Sequence, residues 1–543
     1  MCGILAVYGC TNVQEALEQS KKLTHRGPDE SDYFVSSKGH VLVHERLSIM
    51  DLNSGKQPIQ GTGEAHVIHN GEIYNHKELY KELKKKVVAR TTSDSEIIVH
   101  LYEQMGTGFV DRLDGIFAFV VVDGDKFMAA RDPLGVKPLF WGRDDNDAIW
   151  FASEIKALQE VCWEIKEFPP GHYFTPEEGF VRWYEPDWFK GAAPTKGPEG
   201  IREALEAAVQ KRLMSDVEIG VLLSGGLDSS LVSSIVVREM KKRGKTVKSF
   251  SVGFTPDSPD LKKAREVAAF LGTEHHEVVV SIEDGIRHLE KIIYHLESYD
   301  ITTIRASTPM SLMSEYIHKQ GIKVVLSGEG ADEIFGGYLY FRNAPSLTEL
   351  HEECVSRVKR LHTSDVLRVD RSTMAHAIEA RVPFLDKEFL KLAMAIKPEF
   401  KKVTKERLEK YILREAFNTP DDPYLPDSVL WRQKEQFSDG VGYSWIDTLK
   451  LYAEKVVSDA EFSKASELYP HHTPQTKEAF LYRKIYSKFF RHPDAERMVA
   501  TWVPKWQKST DPSGRANEDH VNAYQKKRTD AQAFVEKIVS KAI

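Results

Sequence analysis

Seven consecutive residues, Ser224-Gly225-Gly226-Leu227-Asp228-Ser229-Ser230, combine two glycines, three hydroxyls and a carboxylate. Such a run suits phosphate: glycines let the backbone approach phosphate oxygens, free N–H groups and hydroxyls donate to them, and a carboxylate can hold a cation. No GxxxxGK[ST] string occurs, so the lysine that reaches terminal phosphates in P-loop enzymes is missing. The run therefore points to a grip on pyrophosphate rather than to ordinary terminal-phosphate transfer. A second constellation starts at Cys2. With the initiator methionine removed, as is usual before a small residue, Cys2 carries a thiol and a free α-amine, with reference pKa values of about 8.5 and about 7.7–8.0. One residue then supplies nucleophile and base. Asn70-Gly71 can offer a side-chain amide and a backbone N–H to an oxyanion. Arg46 can hold the carboxylate of a free amino acid and Asp94 its ammonium. Taken singly each has a plainer reading: Asn70-Gly71 as a hairpin turn, Asp94 as a helix-start carboxylate.

The elements around these residues follow two different patterns. Up to about residue 185, short strands are expected at Cys2 to Tyr8, Val41 to Ile49, Ala65 to Ile68, Phe117 to Val122 and Lys126 to Ala130, with Asp123-Gly124 as a hairpin turn. Helices are expected at Val13 to Leu23, His76 to Lys86 and Glu96 to Met105, the last opened by a Ser93–Glu96 capping box. Grouped strands and helices predict an α+β sandwich over residues 2–185. A Gly/Pro-rich stretch at 186–199 reads as a linker. Beyond it strands and helices alternate: helix 200–214, strand 217–223, helix 229–242, strand Val247 to Phe254, helix 261–271, strand Glu277 to Val280, helix 308–319, strand Ile322 to Leu326. That pattern predicts an α/β doubly wound parallel sheet within 200–543. Two strands end in Ser-Gly, at Ser224-Gly225 and Ser327-Gly328; as neighbours they would open on one crevice. From about 385 onward the chain reads helical and irregular, with 510–543 a helical or flexible tail.

The 543 residues exceed one ordinary core, and 41% apolar with 29% charged residues is a globular balance. A net charge of −7 gives no reason to expect nucleic acid or an anionic membrane. Four cysteines without CxxC spacing fit a reducing compartment, and the longest apolar runs are strand-sized. No signal-peptide pattern opens the chain, so a cytoplasmic protein is expected. His275-His276 lacks ligand-spaced partners and is not expected to hold a metal.

The strings Met1 to Val7, His25-Arg26-Gly27-Pro28-Asp29, Asn70 to His76 and Arg131 to Gly135 resemble class II glutamine amidotransferases. Adding Ser224 to Ser230, Ser327 to Glu333 and Glu379 to Asp386, the chain looks like the glutamine-hydrolysing asparagine synthetases over roughly residues 1–500. The resemblance implies an Ntn-hydrolase glutaminase joined to an ATP-pyrophosphatase-type synthetase. Carried over to this sequence, Cys2 attacks the glutamine amide, Asn70 and Gly71 hold the oxyanion, and Arg46, Glu72 and Asp94 bind the amino-acid end. Ser224, Gly225, Gly226, Asp228, Ser229 and Ser230 hold the pyrophosphate part of ATP, and Leu223, Val252, Ser327 and Gly328 line the nucleotide. Asp228 and Asp332 are the implied magnesium ligands, and Glu329 and Lys434 the synthetase active-site residues. Arg305 and Asp365 are weaker carry-overs to the aspartate site, since either suits a structural ion pair. The implied reaction joins aspartate to AMP and then to ammonia from glutamine, with Mg2+ and ATP required. L-glutamine, L-aspartate and ATP are the expected partners, and a homodimer is allowed for. Competing readings keep both sites with another acceptor, or make the chain a silent homologue that only binds. Intact Cys2, Asn70, Asp94, Asp228 and Asp332 argue against the silent homologue.

Overall fold

The computed structural model describes residues 2–433 and 444–506. The first half contains strands Gly3–Tyr8 (β1), Glu30–Val35 (β2), Val41–Arg46 (β3), Ile59–Gln60 (β4), His66–Ile73 (β5), Gly115–Asp123 (β6) and Lys126–Arg131 (β7). Phe140–Arg143 (β8), Ile149–Ala152 (β9), Glu164–Glu167 (β10), His172–Thr175 (β11) and Gly179–Arg182 (β12) complete it. They form two six-stranded sheets, in the orders β10-β8-β9-β1-β3-β2 and β12-β11-β7-β6-β5-β4. Strand alternation explains the layering. Ile4 and Ala6 of β1 face the second sheet and pack with Ile68, Ala118 and Val120. Leu5 and Val7 point the other way and join the core that continues into the second half of the chain. Helix Val13–Ser20 (α1) lies against β1 and β3, while His76–Glu82 (α2) and Glu96–Met105 (α3) cover the second sheet.

Three local expectations need correction. Asn70-Gly71 is neither a turn nor a strand end: β5 runs on to Ile73, and Asn70 and Gly71 pair with Ala118 and Phe117. The capping box is not made. Glu96 instead accepts from the backbone N–H groups of Arg90 and Thr91 at 2.8 Å each and bonds His100 at 3.0 Å. The helix expected from His76 to Lys86 ends at Glu82.

In the second half, helix Ile201–Lys211 (α4) precedes five parallel strands: Ile219–Leu222 (β13), Lys248–Gly253 (β14), Glu274–Val279 (β15), Val324–Leu326 (β16) and Glu379–Arg381 (β17). Their order is β15-β14-β13-β16-β17. The connecting helices used below are Leu227–Lys242 (α5), Pro259–Leu271 (α6), Ile282–Leu296 (α7), Ile301–Lys319 (α8), Ala331–Phe335 (α9), Leu347–Lys359 (α10) and Asp365–Met374 (α11). Strand order reverses between β13 and β16, which are paired, so the two Ser-Gly ends meet at the topological switch point where such sheets bind ligands. β17 was not expected; three residues are too short to show a period.

α8 starts seven residues earlier than its pattern predicts and carries Pro309 in its interior. Proline has no N–H for the carbonyl four residues back. That carbonyl, on Arg305, receives the Trp445 Nε1 donor at 2.9 Å instead. No helix among the described residues is long and apolar enough to cross a membrane. The tail expected at 510–543 lies outside the described residues.

Candidate active sites

Cys2 enters β1 almost fully buried, 6% exposed. Its backbone nitrogen, the α-amine expected once Met1 is removed, donates to Asn70 Oδ1 at 3.0 Å, and its carbonyl accepts from Arg26 Nε at 3.2 Å. Burial pushes the thiol up from its ordinary value. Asn70 Nδ2 is buried with no hydrogen-bond partner among the described residues. An unpaired buried donor beside a nucleophile is what a forming oxyanion requires. Gly71 has φ +141°, and a Cβ there would fall on the Ile116 carbonyl oxygen, so only glycine suits the position.

The three residues expected to hold the amino-acid end of a substrate gather around this centre. Arg46 is buried and held by Glu30 and by the Asp51 carbonyl, both at 2.5 Å. Asp94 accepts the Ile73 N–H at 2.6 Å, and burial pushes its carboxyl up to about 6. Glu72 Oε1 lies 2.9 Å from Arg381 Nη2, while its Oε2 is buried without a hydrogen-bond partner among the described residues. Arg381 ends β17 and belongs to the other half of the chain. It also pairs with Glu379 and donates to the Arg212 carbonyl at 2.7 Å. Despite burial, Arg381 holds the Glu379 carboxyl down at about 2.

The second site is a cleft at the β13/β16 switch point, with about 1240 Å³ of empty space open to solvent. Leu223, Val252, Ser327 and Gly328 line it together with Leu222, Phe250, Met310 and Met313. At its rim Ser224 and Ser229 bond each other at 2.9 Å, and the N-terminus of α5 follows Gly226. A Cβ on Gly328 would come 2.6 Å from the Asp228 carbon and the Ser229 nitrogen, so the two Ser-Gly turns touch only because residue 328 has no side chain. Ser230 is fully buried and lies behind the loop rather than on the cleft.

Asp228 and Asp332 line the cleft together. Asp228 Oδ1 is buried without a hydrogen-bond partner among the described residues, which fits a cation ligand, and the oxygens of both carboxylates suit magnesium. Asp228 Oδ2 and Asp332 Oδ1 each lie 2.6 Å from Lys410 Nζ. Glu329 is paired with Arg368, which also meets Asp365 at 3.0 Å. Asp365 is further bonded by Arg357 at 3.0 Å. Burial, with Asp365 and Asp332 alongside, raises Glu333 well above the carboxylate range, and Tyr338 donates to it at 2.5 Å. Asp300, Thr302 and Thr303 bring the start of α8 to the same end of the cleft. Arg305 does not line it: its guanidinium is engaged by Glu478 at 2.8 and 2.6 Å. Lys434 lies outside the described residues.

Five charged residues were not reached by motif reading: Arg26, Lys410, Arg357, Arg368 and Glu379 as partner of Arg381. Arg26, Glu379 and Arg381 fall inside strings quoted for the resemblance, yet nothing local shows their contacts. Arg26 is the clearest case, reaching Cys2, Glu154 at 2.7 Å and Asp370 at 3.0 Å on α11.

The glutamine amidotransferase domain family matches residues 1–179, and the asparagine synthase family matches residues 200–349 and 342–510. The chain is 50% identical over 566 residues to asparagine synthetase [glutamine-hydrolyzing] 2 of Arabidopsis thaliana, covering 98% of this chain and 97% of that protein. It is 49% identical over 548 residues to asparagine synthetase [glutamine-hydrolyzing] 2 of Oryza sativa subsp. japonica, covering 95% and 92%. The chain belongs to the glutamine-hydrolysing asparagine synthetase family. Its two halves are thus an Ntn-hydrolase sandwich and an ATP-pyrophosphatase-type domain, and each of the two sites falls within its own matched family domain.

Proposed function

We propose that this asparagine synthetase homologue is a ligase that makes L-asparagine from L-aspartate, ATP and L-glutamine. Residues 2–185 are the glutaminase, 186–199 the linker and 200–543 the synthetase, with 510–543 as its tail. The observation that carries the reading is Cys2 beside Asn70 Nδ2, which has no hydrogen-bond partner among the described residues, in one chain with a Ser/Gly cradle at a sheet switch point.

At the first site, the free amine of Cys2 takes the thiol proton and the sulfur attacks the glutamine side-chain amide. Asn70 Nδ2 and the Gly71 N–H hold the oxyanion, while Arg46, Glu72 and Asp94 grip the α-carboxylate and α-ammonium. Ammonia leaves, and water releases glutamate from the thioester. At the second site, a carboxylate cannot react with ammonia directly because oxide is too poor a leaving group. Aspartate's β-carboxylate attacks the α-phosphorus of ATP, pyrophosphate departs, and ammonia then displaces AMP from β-aspartyl-AMP. The loop from Ser224 to Ser229, with Ser230 bracing it from behind, orients the departing pyrophosphate. Leu223, Val252, Ser327 and Gly328 seat the nucleotide, and Glu329, which lines the same cleft, is assigned to the synthetase chemistry. Mg2+, held by Asp228 and Asp332, would neutralise charge on the leaving group. Lys434 is assigned to the same chemistry. Asp365, on the cleft wall, is assigned to the aspartate end; Arg305, engaged by Glu478, does not line the cleft and is left out of the aspartate site.

A cytoplasmic location is part of the same reading, supported by four free cysteines. So is a homodimer, supported by the edge position of β2, where Tyr33 is 50% exposed. Purified protein with aspartate, glutamine and MgATP should yield asparagine, AMP and pyrophosphate by mass spectrometry. Cys2→Ala should lose glutamine use and keep ammonium use. Glutamate without asparagine or AMP would mean that aspartate is not the acceptor.

A further inference from the structure

The Ser224–Ser229 cradle faces a basic wall that no sequence motif announces: Lys410, with Arg414 and Arg432. The Lys410 side chain is 1% exposed, and its ammonium bridges Asp228 Oδ2 and Asp332 Oδ1 at 2.6 Å each. Two observations mark the bridge as built rather than incidental. Lys410 has φ +57°, a left-handed conformation unfavourable for any residue with a side chain. Opposite it, a Cβ on Gly337 would come 2.9 Å from Lys410 Cε and collide with Asp332 Oδ1, so glycine there makes the room. Without a cation, these two largely enclosed carboxylates, each side chain 12% exposed, would repel each other at this range.

We propose that Lys410 and the divalent cation compete for Asp228 and Asp332. The lysine is the carboxylates' resident counter-ion until a metal–pyrophosphate group displaces its ammonium onto the phosphate oxygens. The inference rests on the assignment of those two aspartates to the metal. A metal ion between the same oxygens cannot share the space with an ammonium, and the two cations repel. Metal alone offers the displaced lysine no new partner, whereas metal with pyrophosphate brings oxygens that accept it. Metal binding therefore waits for the nucleotide, and Lys410 passes from holding the carboxylates to holding the leaving group.

The test is Mn2+ binding followed by electron paramagnetic resonance, without and with inorganic pyrophosphate, for wild type, Lys410→Met and Asp228→Asn. Lys410→Met should bind Mn2+ alone at least about tenfold more tightly than wild type, because its carboxylates are left uncompensated. It should bind Mn2+ with pyrophosphate at least about tenfold more weakly, for want of the ammonium. Unchanged or weaker binding of Mn2+ alone by Lys410→Met overturns the proposal. Undiminished Mn2+–pyrophosphate binding by Asp228→Asn overturns the metal assignment, and the proposal with it. If circular dichroism shows that Lys410→Met does not fold, wild-type crystals with Mn2+ and pyrophosphate decide. Lys410 Nζ on a pyrophosphate oxygen supports the exchange; Nζ still bridging both aspartates with the metal elsewhere overturns it.

Discussion

Asn70 is poised at the residue scale by what it does not bond. Its Oδ1 is engaged by the Cys2 nitrogen while its Nδ2 is left unpaired beside the nucleophile. Asn70→Ala should lower glutaminase kcat by about 10²–10³, the range for loss of one oxyanion donor, with ammonia-dependent synthesis retained. Steady-state glutamate release checks it. Asp94 makes a pH prediction. Burial raises its carboxyl to about 6, so the charged form that meets glutamine's ammonium is present above that pH and is lost as pH falls through it. The kcat/KM for glutamine should fall on the acid side with a midpoint near that value, and a flat profile between pH 7.5 and pH 5 would refute the role. Cys2 and Asn70-Gly71 could be singled out because the chemistry expected of them resides in the residue types. Lys410 was not, since it meets Asp228 across 182 residues and no local pattern carries that contact.

At the scale of elements, the strand–turn–helix around Ser224 was readable because an apolar run, a glycine turn and a helical stripe are all local signals. Pairing of β13 with β16 followed only conditionally, since it is a long-range contact. α8 shows the opposite case. Its expected start lies beside Pro309, and the longer helix survives because Trp445, far along the chain, satisfies the freed Arg305 carbonyl. The same carbonyl belongs to the residue whose guanidinium binds Glu478, so α8 is anchored twice at one position. Trp445→Phe would keep most of the packing and remove the donor. It should cost about 1–3 kcal/mol, the penalty of a buried unsatisfied carbonyl, measured by denaturant unfolding. An unchanged unfolding midpoint would show that water replaces the indole. The failed capping box has a similar cause: Glu96 had better-placed donors in the preceding loop than its own cap.

For the whole molecule, the two halves share a buried set of charges that spans their boundary. Arg26 and Lys137 of the sandwich meet Asp370 on α11, and Glu154 meets both Arg26 and Arg371. Arg381 does the same by meeting Glu72 of the sandwich. Arg381→Met would leave Glu72 and Glu379 buried without it and should destabilise the protein by about 3–5 kcal/mol. It should also raise the KM for glutamine, although the residue lies outside the glutaminase; thermal unfolding and glutaminase kinetics together check this. Net charge and composition could not foretell such pairs, because they count charges without placing them. The reach of β17 also bears on modularity. A chimera joining this glutaminase to a foreign synthetase would keep Cys2, Asn70, Arg46 and Asp94 and still lose a supporting wall of its glutamine pocket. The natural unit of exchange is thus larger than residues 2–185: it includes a three-residue strand encoded far downstream, at Glu379–Arg381.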